Sequence, residues 1–221
     1  MDFDQPTVVR SQQSVLETNK VLRNTYSLLA MTLVFSALTA GVSMVMNFPH
    51  LGWLSLIGYI GLFFLTYATR NSVWGLVSVF ALTGFMGLTL GPLLNAVLTI
   101  PNGGQMVMQA MGGTGIIFFA LSAYVLKSQK DFSFMGGFLF AGLIVVVLAV
   151  IASLFIQVPG LQLALSAAII LLMSGYILFD TSRIIHGGET NYIMATVGLY
   201  VNIYNIFVNL LHLIMAFSGD D

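Results

Sequence analysis

Residues 192–217 read YIMATVGLYVNIYNIFVNLLHLIMAF, a stretch without a single Asp, Glu, Lys or Arg. About 20 apolar residues in a helix cross the hydrocarbon core of a bilayer, so this stretch is long enough for one transmembrane helix. It lacks the alternation of apolar and polar residues that marks membrane β-strands. Six further charge-free stretches have comparable length: 26–46, 51–69, 73–100, 106–126, 132–156 and 161–179. The sequence therefore predicts an all-α integral membrane protein with seven transmembrane helices.

The composition of the whole chain agrees with a membrane location. Hydrophobic residues make up 58% of the 221 residues, whereas charged residues make up only 7%. Soluble domains have about 25% charged residues, so a soluble fold is excluded. The formal net charge of −1 offers no basic surface for nucleic acid. Because Cys is absent, disulfides, thiolate metal sites and cysteine catalysis are excluded as well.

The basic residues predict the orientation of the helices. In a seven-helix bundle, all of them fall on the same side as the N-terminus: Arg10, Lys20, Arg23, Arg70, Lys127, Lys130 and Arg183. The segments on the opposite side, 47–50, 101–105, 157–160 and 218–221, contain none. Lys and Arg accumulate in cytoplasmic loops, so the N-terminus is predicted to be cytoplasmic and the C-terminus external.

The N-terminal residues are polar and lack the apolar core of a signal peptide. Ser14 and Glu17 have the spacing of a capping box, which predicts that a helix begins near Ser14. The chain is thus divided into a flexible cytoplasmic tail (1–13), a single membrane domain (14–217) and a short external C-terminus (218–221). The tail is either a disordered leader or a handle for a cytoplasmic partner. The handle would begin with Met1, Asp2, Phe3, Asp4 and Gln5.

Small and polar residues recur on one face of the last predicted helix. Their spacing alternates between four and three, as on one side of an α-helix, through Gly198, Asn202, Asn205, Asn209, His212 and Ala216. Two interpretations stay open. The amides and small residues hold helices together, or they line a hydrated path through the bundle.

Two other features of the predicted spans stand out. Asp180 is the only acid near the hydrocarbon region, and it forms either a local ion pair with Arg183 three residues later or a functional buried carboxylate. Gly91 and Pro92 lie inside the third helix, where proline removes a backbone hydrogen bond and produces a kink. The third helix is therefore a kinked packing helix or a gating hinge.

Known catalytic templates are missing from the sequence. It contains no HExxH, no GxSxG and no Walker loop. An intramembrane aspartyl protease needs two carboxylates that share a proton, and the spans offer only Asp180. The sequence therefore predicts neither an enzyme nor a bound cofactor or metal.

Several segments, in order and spacing, resemble the Bax inhibitor-1 family. They are TGFMGLTLGPLL at 83–94, YILFDT at 176–181 and LYVNIYNIF at 199–207. The resemblance covers nearly the whole chain from residue 19. It implies a fold in which helix 7 is central and six helices pack around it. It also implies an alternative function, a pH-modulated calcium leak in which helix 6 and helix 7 share a proton and a basic residue of helix 2 latches the pore.

Residue by residue, the path candidates are Asp180, Asn202, Asn205, Arg70 and Arg183. The proton-sharing pair maps onto Asp180 and Asn202, and the latch maps onto Arg70. Asn202 departs from the pattern, which has an aspartate there. Two close carboxylates cannot both be ionised, whereas an Asp–Asn pair lacks that repulsion. The proton switch is therefore expected to be absent or much weaker here.

Two more segments, IHGGETNYI at 185–193 and KVLRNTY at 20–26, are similar to one bacterial branch of the family. That branch contains the inner-membrane modulators of the FtsH protease. The resemblance implies a protein of the bacterial inner membrane that binds and restrains FtsH, a membrane-anchored AAA protease. Residues 1–13 would supply the unstructured tail that such proteases grip, and a tightly packed bundle would be a slowly degraded substrate. The oligomeric state stays open.

Overall fold

A computed structural model of the chain describes residues 5–155, 158 and 160–218, with side chains from residue 18 onward. It contains seven α-helices, namely α1 Gln5–Val45, α2 Trp53–Thr69, α3 Trp74–Leu98, α4 Gly103–Ser128, α5 Gly136–Ser153, α6 Leu161–Ile185 and α7 Tyr192–Ser218. A short 3-10 turn, Ser133–Met135, precedes α5. Of the predicted partner handle, Met1–Asp4 lie outside the described residues, and Gln5 is described by its backbone alone.

Six of these helices are long and apolar enough to cross a membrane. The exception is α2, which is apolar but has only 17 residues. At 1.5 Å per residue it is about 26 Å long, slightly less than the ~30 Å of a typical hydrocarbon core. The chain is therefore an all-helical, multi-pass membrane protein.

Three helices, α1, α4 and α6, extend beyond the charge-free stretches into charged residues. The first is described from Gln5, upstream of the start predicted near Ser14, and α6 continues past Asp180 to Ile185. Hydropathy measures the apolar part of a helix, while the hydrogen-bond ladder continues into polar residues. The division of the chain into a tail (1–13), a membrane domain (14–217) and an external end (218–221) stays a prediction.

Three connections meet at one end of the bundle, which we call the basic end. Asn191 Nδ2, just before α7, donates to the Arg70 carbonyl between α2 and α3 at 3.0 Å. His186, just after α6, approaches the Gln129 carbonyl after α4 with its Nε2 at 3.2 Å. These contacts bring together the connections that hold Arg70 and Lys130 and the last turn of α6, which holds Arg183, as the count of seven helices requires. The assignment of this end to the cytoplasm stays a prediction.

Helices α3 and α7 form much of the interior. Half of the most apolar part of each is buried inside the protein, against 6% for α5. Helix α7 packs against α1, α3, α4 and α6, whereas α2 packs on α3 and α5 packs on α6. The expected arrangement, with six helices packed around helix 7, is therefore not confirmed. The family resemblance implied six helices around a central helix 7, whereas the interior is shared between α3 and α7.

The closest packing joins α1 to α3 through glycines. A Cβ atom at Gly87 would collide with Thr39 and Ser36 of α1, and one at Gly91 would collide with Ser43. Small residues let the backbones of two membrane helices approach closely. Helix α3 is continuous through Pro92. The kink and the gating hinge at Gly91 and Pro92 stay predictions.

Ser43 compensates for the hydrogen bond that Pro92 removes. Proline has no N–H to donate to the carbonyl four residues earlier, which is that of Leu88. The Ser43 hydroxyl of α1 donates to this carbonyl at 2.6 Å. A second side chain, Asn95 Nδ2, donates in the opposite direction to the Met44 carbonyl at 3.1 Å. The two helices are thus joined by reciprocal polar contacts around the proline.

We expect Ser43→Ala to destabilise the protein by about 1–3 kcal/mol, because it leaves the Leu88 carbonyl without a partner. In a Pro92→Ala background, residue 92 regains an N–H that bonds to the same carbonyl, so Ser43→Ala should cost much less. A double-mutant cycle of unfolding in detergent measures the difference. Equal costs in the two backgrounds would show that the hydroxyl does not replace the missing helix bond.

Candidate functional site

The acid of α6 and an amide of α7 form a direct hydrogen bond. Asn202 Nδ2 donates to Asp180 Oδ2 at 2.8 Å. Asn202 is buried, and Asp180 is partly exposed. Gly198 lies one turn before Asn202, and a Cβ atom there would be only 3.1 Å from Asp180 Oδ2. The glycine therefore lets α6 bring its carboxylate close to the backbone of α7.

Asp180 and Asn202 lie on the wall of a cavity of about 340 Å³. Four helices contribute to it: α2 through Phe63, α5 through Leu143, and α6 and α7 through most of the rest. Most of its walls are apolar. The other charged residues that line it are Arg183 and Glu189, near the basic end.

Arg183 forms its ion pair with Glu189 and not with Asp180. Its Nη2 is 3.8 Å from Glu189 Oε2 and donates to the Gly188 carbonyl at 2.9 Å. The reason lies in the end of α6, where Gly187 has a φ of 75° and reverses the chain. The amides of Gly188 and Glu189 then bond back to the Arg183 carbonyl, which carries Glu189 to the guanidinium. Of the two alternatives left open for Asp180, the local ion pair with Arg183 is therefore not formed.

Arg70 does not contact the site with its charge. Its guanidinium lies over the Tyr67 ring, 3.8 Å from the centroid. Its backbone carbonyl receives the Asn191 amide, and Asn191 Oδ1 in turn accepts from the amides of Ile193 and Met194. Asn191 is thus the N-cap of α7 and fixes it to the α2–α3 connection. A latch made by Arg70 stays a prediction.

The remaining amides of the polar face serve their own helix. Asn205 Nδ2 donates to the Val201 carbonyl at 2.9 Å, and Asn209 Nδ2 donates to the Asn205 carbonyl at 2.8 Å. His212 and Ala216 are exposed. The polar face is therefore continuous in sequence. Of its three asparagines, only Asn202 donates a hydrogen bond to a side chain of another helix. The choice between packing and a hydrated path stays open for Asn205.

Sequence reasoning missed Tyr200. This residue is 1% exposed, and its hydroxyl lies 2.6 Å from the Ser36 hydroxyl of α1 and 3.3 Å from the Thr83 carbonyl of α3. It joins α7 to both helices in the interior. Its signal in the sequence was weak, since Tyr200 and Tyr204 stand among apolar residues off the polar face.

The connection between α4 and α5 also makes a polar contact with α6. The amide of Phe132 donates to the Ser182 hydroxyl of α6 at 2.8 Å. Hydrogen bonds from the side chain and the backbone of Ser133 lower the pKa of Asp131 below its usual value. Asp131 is therefore an ionised, solvated acid of the loop, unlike Asp180 within the bundle.

Among the described residues, no group of three or more His, Cys, Asp or Glu side chains is arranged to hold a metal ion. The site consists of one carboxylate, one amide and mostly apolar walls. This arrangement can bind a cation or a hydrogen-bond donor, but it presents no nucleophile paired with a base.

The family follows from the sequence match. The family model described as "Inhibitor of apoptosis-promoting Bax1" matches residues 18–219. The chain belongs to this family. The membership predicted from the motifs on helices 3, 6 and 7 is thereby confirmed.

Several bacterial proteins resemble the chain along almost their whole length. An uncharacterised protein of Pseudomonas aeruginosa is 57% identical and covers 93% of both chains. A protein of Escherichia coli K12 named "Modulator of FtsH protease YccA" is 55% identical and covers 94% of both. One of Escherichia coli O6:H1, named "Inner membrane protein YccA", has the same identity and coverage.

Within this family, the chain pairs positions 180 and 202 as the resemblance implied, but as a carboxylate and an amide. The 2.8 Å bond between them shows that the two positions are in direct contact. An amide needs no shared proton to lie beside a carboxylate, because its N–H groups donate at every ordinary pH. Positions 180 and 202 therefore lie in contact, although only position 180 carries a carboxylate.

Proposed function

We propose that the chain is a regulator of a membrane-anchored AAA protease of the FtsH type in the bacterial inner membrane. It would bind the protease and restrain it as a slowly degraded substrate. The observation that carries this proposal is the 55% identity, over 94% of both chains, with the protein named as a modulator of FtsH protease. The relative named as an inner membrane protein supports the location.

The packing of α1 supports slow degradation. A protease that grips residues 1–13 would pull first on α1, because that helix is described from Gln5 and continues from this segment into the bundle. Helix α1 packs along α3, α6 and α7. Its partner α3 presents glycines where any larger side chain would collide with α1. Extraction must therefore break a close interface before the rest of the bundle is reached.

The alternative, a pH-modulated calcium leak, has less support. Calcium takes six to eight oxygen ligands in proteins. The candidate path offers one carboxylate, and Asn202 offers Asp180 an N–H donor instead of a second acid. Asn205 bonds within its own helix, and Arg70 lies over Tyr67.

Deleting residues 2–13 should lengthen the lifetime of the protein in growing cells several-fold, because the protease loses the segment on which it begins. A pulse-chase experiment measures the lifetime in cells with and without the protease. A Gly/Ser segment of equal length is the control, and it should restore degradation if an unstructured tail is sufficient.

Two further results decide the proposal. Full-length protein, crosslinked in native membranes, should co-purify with the protease, and the deletion variant should do so less. A lifetime that is the same in cells lacking the protease would exclude the slow-substrate mechanism. Absence of the protease from crosslinked material of the full-length chain would exclude binding.

A further inference from the structure

The carboxylate of Asp180 has one hydrogen-bond donor and forms no ion pair within 4 Å among the described residues. Asn202 donates to Oδ2, and no other described side chain or backbone amide donates to the group. The nearest cation along the chain, Arg183, is engaged by Glu189, by the Gly188 carbonyl and by the Phe179 ring. An ion held inside a protein is unfavourable unless another charge pairs with it. The structure thus leaves Asp180 with unused capacity for a cation.

The space beside this carboxylate is suited to an organic molecule. Its volume of about 340 Å³ lies in the range of small-molecule sites, roughly 300–1,000 Å³. The walls include the side chains of Phe63, Leu143, Met173 and Val201. Such sites combine apolar walls with few polar groups that orient the ligand. Here the polar groups are Asp180 and its partner Asn202.

We propose that this cavity binds small lipophilic amines, with the ammonium group on Asp180 and the apolar body against Phe63, Met173 and Val201. The ammonium would donate to the carboxylate, so that each charge gains a partner. The apolar body would fill the space between α2, α5 and α7. The Arg183–Glu189 pair is neutral as a unit, so the end of the cavity where it lies does not repel the cation strongly.

Other ligand classes fit less well. An organic anion would meet the Asp180 charge, and a neutral apolar molecule would leave that charge unpaired. A divalent metal needs several oxygen ligands, and the described residues hold no such group. A monovalent amine matches both the single carboxylate and the apolar walls. This proposal does not depend on the protease, because binding is measured on the purified chain.

The test uses the full chain in lipid nanodiscs and two probes of equal size, 2-phenylethylamine and the neutral 2-phenylethanol. We expect the amine to bind saturably in calorimetry and to raise the unfolding temperature, and the alcohol to do neither. Asp180→Asn should weaken amine binding roughly tenfold or more, since it removes the charge that pairs with the ammonium. The control Asp131→Asn, which removes an exposed loop acid, should bind the amine like the wild type.

A second variant keeps the test decisive if Asp180→Asn does not fold. Leu143→Trp narrows the cavity from α5 without changing any charge, and it should weaken amine binding as well. Equal signals for the amine and the alcohol in the wild type would indicate partitioning into lipid and overturn the proposal. Undiminished amine binding in Asp180→Asn, or in Leu143→Trp, would also overturn it.

Discussion

Gly87→Leu should destabilise the bundle and speed its degradation. A Cβ atom at this position already collides with Thr39 and Ser36 of α1, and leucine adds three further carbon atoms in the same place. Overpacking of this kind costs about 1–3 kcal/mol, occasionally more. Separation of α1 from α3 should relieve the collision, and under the proposed function that separation would be the first step of extraction from the N-terminus. The lifetime in cells that contain the protease should therefore fall several-fold.

The matched control is Gly112→Leu on α4. A Cβ atom there has no neighbour within 4 Å, so the larger side chain meets open space. Unfolding of the purified variants in detergent and pulse-chase lifetimes in cells are the two measurements. If Gly87→Leu lowers stability but leaves the lifetime unchanged, the α1–α3 interface does not limit extraction. If Gly87→Leu and Gly112→Leu have the same stability and lifetime, α1 and α3 do not pack closely at Gly87.

The spans could be predicted from sequence because their signal is local. A charge-free run of sufficient length identifies a membrane helix without knowledge of its neighbours. The residues at which the helices begin and end were predicted less accurately. Helix α6 continues through Asp180 to Ile185 because its backbone bonds persist after the apolar run ends. The short α2 is apolar like the other helices but has only 17 residues.

Contacts between helices were harder to predict from the sequence. The rotation of each helix about its axis decides which side chains meet, and sequence spacing does not give it. The meeting of Asp180 and Asn202 was implied by family resemblance and not by any pattern in the chain. For Arg183 the sequence spacing allows a contact that the structure does not form, because a residue three positions after Asp180 on a helix can pair with it. The turn at Gly187 instead delivers Glu189.

The hardest contacts to predict were those in which a side chain of one helix supplies a hydrogen bond to a polar group of another helix. Pro92 indicated that one carbonyl of α3 lacks its donor, but not which residue replaces it. Ser43 of α1 does so, and it looks like an ordinary small residue in an apolar run. Tyr200 similarly reaches Ser36 and Thr83 only because three helices meet at one depth. Such partners depend on the assembled bundle.

Asn202→Asp should make the stability of the protein fall more steeply with rising pH than that of the wild type. The substitution places a second carboxylate where an amide now donates to Asp180 at 2.8 Å. At low pH, one proton between the two acids replaces the amide hydrogen bond. At high pH both acids ionise, and two like charges about 4 Å apart repel by about 4 kcal/mol at an effective dielectric constant of about 20. The folded variant retains a proton that its unfolded chain releases, so stability falls as pH rises.

The control exchanges the two residues. Asp180→Asn combined with Asn202→Asp keeps one carboxylate and one amide at the contact, so its stability should change with pH as that of the wild type does, without the additional loss expected of Asn202→Asp. Unfolding in detergent from about pH 5 to about pH 9 compares both variants with the wild type. A flat profile for Asn202→Asp would mean that the two side chains separate or that water enters between them. The same loss in the exchanged variant would place its cause outside this pair, because only Asn202→Asp contains two acids there.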